Sequence, residues 1–490
     1  MLIVSSQLPA SHQEVRVNTL EAIMEMPRLI QAGMGAHISS ARLANITSRL
    51  GALGVVSGVG LRQLVITQIR MGDTDALDIA RKFPIPGYFD DLAAFCPGGS
   101  RETRPIPMDL PDREKGALAK RLSTICTYVE VMRAKRGHHG QVGINVMWKC
   151  ALTTLPTIYG SMLAGVDALL CGAGVPMELP DIVRKIRSGE DLEYVPLTGT
   201  STNVNLQIAA DTSAPMLREL TTPRLLPILS NFAFCKRILD TWRQKFEMAP
   251  DAFILENHRA GGHNAPPRDH VSFGANDELD SYLDKVLKLG LPVYVAGDFP
   301  DGGTRSDLLE WQSRGAYGIQ VGSRFALCEE SGMRQDLKQQ IIDRNQRNEL
   351  NVSTDMRLSP TGYPLKFVEL PGTLSDPAVR TMQRHVCNLG YLMHSHLNVD
   401  ENGKEHEVYL CAAMPHDQRL KRGGGEEEGE GRICLCNALL STAGYGNEGE
   451  PPLVTLGTSG KMVKQLLTAR QVVEDILTPA AVEENEARLA

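Results

Sequence analysis

The sequence predicts an α/β chain built on a (β/α)8 TIM barrel, with an insertion after strand 2 and a C-terminal extension. Three observations carry this. Short apolar runs recur along the first two thirds of the chain, and most are followed by stretches of helical period. Several of these runs end on small residues, as in Ala32-Gly33-Met34-Gly35, Gly172-Ala173-Gly174 and Gly322-Ser323. Strand, helix and strand within about thirty residues form a unit that closes right-handed into a parallel sheet, and eight such units close into a ring.

The first strand is Pro27 to Gln31 and the second Leu53 to Val56. Between them Leu43, Ile46 and Leu50 share one face of a helix over about residues 40 to 50, which Gly51 stops. From Ser57 to Gly140 the alternation is interrupted by arginine-rich helical pieces and the loop-like stretch Cys96 to Pro111, read as an insertion. His138 and His139 within it would point to opposite sides of a strand, so they read as an exposed turn and not as metal ligands. Val142 to Met147 is the third strand, with a polar Asn145 inside an apolar run, and a buried amide needs a partner. Val166 to Cys171 is the fourth strand, followed by a helix opening at Pro176 or Pro180 and a small hairpin over Glu193 to Asn205. Leu226 to Asn231 is the fifth, and the next helix carries Ile238, Leu239, Trp242 and Phe246 on one stripe.

The sixth strand, at Phe253, opens the stretch AFILENHRAGGHNAPPR from Ala252 to Arg268. Gly261 and Gly262 permit a tight turn that aims His263 sideways at the end of a strand, where parallel α/β proteins gather their ligands. A helix over Asp277 to Leu289 then sets Leu279, Tyr282, Leu283, Val286 and Leu287 on one face. Leu291 to Ala296 is the seventh strand and Tyr317 to Val321 the eighth, closing on Gly297-Asp298 and Gly322-Ser323. Glycine turns after strands seven and eight usually build a phosphate site, so the cofactor is expected to carry a phosphate.

Composition limits the function classes. With 490 residues the chain exceeds one small core, and the expected division is a barrel over 1–335, its insertion at about 57–140, and a mixed extension over 336–490. An apolar content of 42% and a charged content of 22% argue against a disordered or fibrous chain. The net charge of -7 gives no support for nucleic-acid binding. The N-terminus lacks a basic head before an apolar core, and no apolar run suits a bilayer span, so a cytoplasmic protein with no membrane partner is expected. Ten scattered cysteines fit reduced thiols.

The ordered set RLIQAGMG, GINVM, AGGH, PVYVAGD and GIQVGSRFALCEES resembles the nitronate monooxygenase (formerly 2-nitropropane dioxygenase) family of FMN-dependent barrels. That family is similar to the FMN-dependent enoyl reductases and to the enoyl reductase subunit of polyunsaturated fatty acid synthases. The likeness spans roughly residues 25 to 335. It implies an FMN oxidoreductase with a small-molecule substrate, and either O2 or NAD(P)H as co-substrate. By this resemblance Asn145 bonds the flavin, and Gly33, Met34 and Gly35 lie beside its ring. Glu256, Gly261 and Gly262 approach the cofactor, while Gly297, Gln320, Val321, Gly322 and Ser323 hold its phosphate end. His263 matches the catalytic histidine. In the oxygenase reading it takes or positions a proton on the carbon beside a nitro group; in the enoyl-reductase reading it protonates the α-carbon of a thioester. Either role asks for an imidazole titrating near its own pKa. A barrel without catalysis, acting as a subunit of a biosynthetic assembly, is the alternative from another class.

Departures from the family pattern are informative. Glu256 stands where the oxygenases carry a glutamine, and Arg259, in place of a glutamate, is expected to neutralise it. Asp298 replaces a second glycine. Pro266, Pro267 and Arg268 are expected to wall the pocket. Beyond Ser331 the likeness fades; helices are expected at Ala378 to Leu389 and Ala469 to Leu477, and a solvated loop at Lys421 to Arg432. Cys387, Cys411, Cys434 and Cys436 cluster in this tail without the paired spacing of metal sites, and read as buried thiols. The tail is expected to cover the barrel mouth as a lid or to form a homodimer contact.

Overall fold

A computed structural model describes residues 26–96, 105–107, 113–194, 204–209, 216–217, 219–399 and 402–478. In chain order the first strands are β1 (Leu29–Gln31), β2 (Leu53–Ser57), β3 (Val142–Met147) and β4 (Ala168–Gly172), then a hairpin of β5 (Leu192–Tyr194) and β6 (Val204–Leu206). They are followed by β7 (Arg224–Leu229), β8 (Phe253–Glu256), β9 (Gly262–His263), β10 (Val293–Ala296) and β11 (Gly318–Val321). Eight of these close into a parallel barrel in the order β1-β11-β10-β8-β7-β4-β3-β2. The expected (β/α)8 ring is therefore present, and each barrel strand lies within two residues of its sequence-predicted limits.

Successive side chains on a strand face opposite ways, and this period sorts the barrel into two cores. Ile30, Val55, Leu170, Leu226, Ile254 and Tyr294 fill the interior, while Leu29, Val56, Ile144, Leu169, Leu255 and Ile319 pack outward against the helices. The same parity points Asn145, Glu256 and Gln320 inward at the C-terminal ends of β3, β8 and β11. It turns Val321 outward, where its side chain is buried facing Gly303.

The insertion folds as the helices Leu61–Arg70, Thr74–Ala80, Tyr88–Ala93 and Arg113–Lys135. Much of the loop read at Cys96 to Pro111 lies outside the described residues. His138 forms a turn, its ring against Ala134 O at 2.7 Å and the Gly140 N–H at 3.0 Å. Arg113–Lys135 packs on the helix Ala151–Leu163 at Gly160.

Two expected helices are interrupted. Instead of one helix over 277–289 the chain makes 3-10 turns at Ala275–Asp277 and Leu279–Ser281 and a short helix at Leu283–Leu287. Asp277 turns back to accept from Gly274 N–H, and Glu278 is extended and bonded to Arg259, so polar side chains take the backbone out of the helix. Leu279, Tyr282, Leu283 and Val286 are buried all the same, which is why the periodicity was there to read. In the tail only Pro377–Arg380 of the segment 378–389 is helical. Gln383 bonds the Cys434 N–H at 3.1 Å and His385 the Ala413 carbonyl at 2.8 Å, holding that segment as a loop.

Beyond the barrel, β12 (Val352–Asp355) and β13 (Leu365–Val368) form a three-stranded antiparallel sheet with β9. A further hairpin, β14 (His394–Val399) with β15 (Glu405–Leu410), precedes the helix Leu435–Thr442. The helix Ala469–Leu477 forms as expected and packs between Ala41–Arg49 and Arg305–Ser313; Arg324 pairs with its Asp475 at 2.6 Å. Among the described residues no helix is long and apolar enough to cross a membrane.

A Cβ at Gly160 would sit 2.2 Å from Thr124 O, a backbone atom that cannot swing aside. Gly160→Ala should thus lower stability by roughly 1–3 kcal/mol. A shift in the urea unfolding midpoint checks this, and an unchanged midpoint would contradict the close helix contact.

Candidate active site

A cavity partly open to solvent lies over the C-terminal ends of the barrel strands. Its floor is the inward ring set by strand parity. Register makes Glu256, Ala296 and Gln320 direct neighbours on β8, β10 and β11. Asn145 faces them from β3, and a Cβ on Gly33 would lie 2.1 Å from its side chain, so glycine is what lets the loop after β1 close over that amide.

The polar groups of this ring lack partners. The Gln320 Oε1 is buried with no hydrogen bond, and neither the Asn145 amide nor the Glu256 carboxyl has a side-chain partner among the described residues. Burial pushes the Glu256 carboxyl up to about 7. Arg259 does not neutralise it. β8 ends at Glu256 with its side chain inward, and the chain then turns over the rim, where Arg259 meets Glu278 at 2.9 Å and Asp298 at 3.2 Å. Pro266, Pro267 and Arg268 also fall outside the cavity lining; the Arg268 guanidinium lies 4.9 Å from the centre of the Tyr282 ring.

His263 reaches the cavity from β9, which is held in place by pairing with β13, His263 opposite Leu365. Its Nε2 lies 2.6 Å from Ser359 Oγ, which in turn is 2.8 Å from Thr361 Oγ1 and accepts from the Thr361 N–H. Nδ1 has no partner among the described residues. Burial, and then the charge of Lys149, push the imidazole down to about 3, in contrast to the expected titration near its ordinary value. The ring is therefore neutral at pH 7, and Ser359 can select its tautomer. Burial also lowers the Lys149 ammonium to about 7; its Nζ sits 3.1 Å from the centre of the Tyr363 ring.

The rim comes from the tail. Leu435, Leu439 and the stretch Thr455, Leu456, Gly457 and Ser459 line the cavity beside Gly297, Gly322 and Ser323. Gly457 N–H donates to Ser323 Oγ at 2.9 Å, and Thr458 N–H to Arg259 O at 2.9 Å. A Cβ at Gly261 would sit 2.5 Å from the Leu456 carbonyl carbon, so that glycine serves the close approach of the tail.

Of the residues singled out from the sequence, Gly33, Met34, Gly35, Asn145, Glu256, Gly261, Gly262, His263, Gly297, Gln320, Gly322 and Ser323 line this one cavity. Val321 does not, because it faces outward. Sequence reasoning missed Lys149, whose signal is its place two residues past β3, and Ser359, which carries no local signal. Among the described residues no three His, Cys, Asp or Glu side chains converge to hold a single ion.

A family model described as nitronate monooxygenase matches residues 225–478. The chain is similar in fold to FabK from Thermotoga maritima, with 14% identity, 96% of this chain and 98% of that chain covered, and a TM-score of 0.49. A nitroalkane oxidase from Streptomyces ansochromogenes shares 14% identity, with 96% and 99% covered and a TM-score of 0.47. The enoyl reductase domain of MlnA from Bacillus amyloliquefaciens shares 11%, with 96% and 98% covered and a TM-score of 0.47. A search of curated proteins finds no match.

Because the Glu256 carboxyl titrates at about 7 when folded and near 4.5 when unfolded, stability should fall as pH rises from 4.5 to 7. Glu256→Gln should remove that loss, stabilising the ligand-free protein at pH 8 by at most about 3 kcal/mol and leaving it unchanged at pH 4. Melting curves at the two pH values decide, and equal effects at both would refute the carboxyl's burial as the cause.

Proposed function

We propose, from the premise that this chain belongs to the nitronate monooxygenase family, that it is an FMN-dependent oxidoreductase oxidising a nitronate or related carbon acid with O2. The observation that carries this reading is a ring of inward polar groups without protein partners beneath a histidine with one free ring nitrogen. Buried polar atoms are seldom left unpaired, so the Gln320 Oε1 calls for a bound polar group, and the half-buried Asn145 amide and Glu256 carboxyl face the same cavity without side-chain partners. A flavin ring with its carbonyls and N–H groups fits that donor set. Gly33, Met34 and Gly35 would lie along it. The backbone at Gly297, Gly322 and Ser323 would hold the phosphate. Ser323 Oγ accepts from Gly457 N–H and so retains its own hydrogen to donate. FMN, when bound, supplies the capacity to take electrons from the substrate and pass them to O2.

The chain's own groups handle the proton and the charge. A nitronate is an anion, and Lys149, whose charge is felt at His263, favours its entry. With Ser359 donating to Nε2, His263 presents Nδ1–H to the substrate; with Ser359 accepting, it presents a bare nitrogen that can accept a hydrogen bond. A nitronate is already deprotonated at carbon and asks no proton transfer of the ring, so a neutral imidazole suits this reading better than enoyl reduction, which needs an acidic proton from it.

His263→Ala should keep FMN and lower kcat by about 10²- to 10⁴-fold; unchanged turnover removes this histidine from the chemistry. Anaerobic mixing of the yellow protein with a nitronate should bleach it, whereas rapid bleaching by NADPH and none by nitronate would assign it to the enoyl reductases instead. Glu256→Gln should retain FMN and shift its midpoint potential, and an unshifted potential would place this carboxyl away from the flavin.

A further inference from the structure

Ser359 and Thr361 sit on the loop between β12 and β13, and that loop is held at several points. Asp355 Oδ1 accepts from the N–H groups of Arg357 and Leu358 at 2.7 and 3.0 Å. The Arg432 guanidinium donates to the carbonyls of Arg357 and Ser359, the latter at 2.7 Å, and the Ile433 N–H donates to Leu358 O at 3.1 Å. At the far end of the loop the Tyr363 ring meets the Lys149 ammonium. Ser359 is fully buried, so its hydroxyl is set against His263 by the tail and not by the barrel.

The direction of the hydrogen bonds follows from a count of hydrogens. A hydroxyl carries one hydrogen and two lone pairs. Ser359 Oγ meets three groups: the Thr361 N–H at 3.2 Å, Thr361 Oγ1 at 2.8 Å and His263 Nε2 at 2.6 Å. The N–H can only donate, and fills one lone pair. Thr361 Oγ1 itself receives the Tyr363 N–H at 3.4 Å, and among the described residues Ser359 Oγ is the one acceptor bonded to its hydroxyl. With the Thr361 hydrogen on Ser359, both serine lone pairs are filled, the serine hydrogen has Nε2 as its remaining partner, and the neutral imidazole carries its proton on Nδ1. The opposite direction leaves the Thr361 hydrogen without a protein acceptor. A turn closed by a serine side chain accounts for the Thr361 N–H bond alone; it requires neither the bond between the two hydroxyls nor the one to the imidazole.

We propose that Thr361 is a positioning residue which, through Ser359, fixes His263 in its Nδ1–H form, so that the ring meets the substrate as a hydrogen-bond donor to an anionic oxygen and not as a base. The donor role rests on the reading of the cavity as a nitronate site. Nδ1 is the ring nitrogen left open, with no partner among the described residues, on a histidine that lines the cavity. A nitronate carries its negative charge on oxygen, and a donor held in place before the substrate arrives needs no rearrangement when it binds. The ring stays neutral, so the choice between its two nitrogens is what the hydroxyl chain controls. No proton leaves the imidazole, and no bond is made or broken there.

The test is NMR of the ring nitrogens of the purified full chain, isotopically labelled in histidine, with the His263 signals identified by their loss in His263→Gln. A proton on Nδ1 and a bare Nε2 are expected. Thr361→Val keeps the N–H bond to Ser359 and replaces the hydroxyl by a methyl group; it should give a mixture of both tautomers, retain FMN and lower kcat with a nitronate about 10- to 100-fold. Thr361→Ser should restore the single tautomer and the rate. A wild-type proton on Nε2, or an unchanged tautomer in Thr361→Val, overturns the proposal. The spectra need no substrate, so the two readings fail separately: Nε2–H beside nitronate turnover sinks the donor role alone, whereas Nδ1–H in a chain that turns over no nitronate sinks the oxygenase reading and the donor role with it.

Discussion

The alternation of side chains along a barrel strand is the constraint from which the rest of this molecule follows. A strand that buries Ile254 inside the ring must also send Glu256 inside, and the same holds for Asn145 and Gln320 on their own strands. Three polar groups are thereby carried to the top layer of a core, facing one cavity and making no hydrogen bonds to one another. Such an arrangement is unfavourable in an empty protein and favourable around a ligand of matching polarity. The barrel sets aside stability at that layer, and the outward half of each strand, packed on helices, supports it.

The cavity is completed by parts of the chain far from these strands. Ser359 orients His263 across 96 positions of sequence, and Gly457 reaches back to Ser323 across 134. The tail is thus part of the wall and of the electrostatics. Its Ser359 and Tyr363 pack against His263 and Lys149, two groups that burial moves toward their uncharged forms.

Most of the barrel was legible in the sequence, for a physical reason. Buried parallel strands must be apolar and short, and the loops at their ends need glycine where backbone approaches backbone. Those two demands leave marks at Val142–Met147 and Gly318–Val321 that need no tertiary knowledge. Asn145 and Gln320 were legible as polar interruptions of such runs, and His263 as a glycine-set side chain at a strand end. The broken helix over 277–289 was not, since periodicity records which side chains are buried and says little about whether the backbone between them is continuous. Asp277 and Glu278 are as acceptable on a helix surface as at a turn. Arg259 was misassigned because adjacency in sequence to Glu256 meant opposite sides of the rim. Ser359 and the lining from Leu435 onward left no local trace, because their roles arise only when distant segments meet.

The docking of Ala469–Leu477 against Ala41–Arg49 has a consequence for biosynthesis. The first helix described is covered by the last, and the rim of the cavity from Leu435 to Ser459 lies between them in the chain. Until residues 435–459 have been made, the ring of strands can form, yet its mouth stays unroofed and its inward carboxyl and amides remain wet. Competence therefore waits on the wall from Leu435 to Ser459, and a chain lacking that stretch would be a scaffold with an open top.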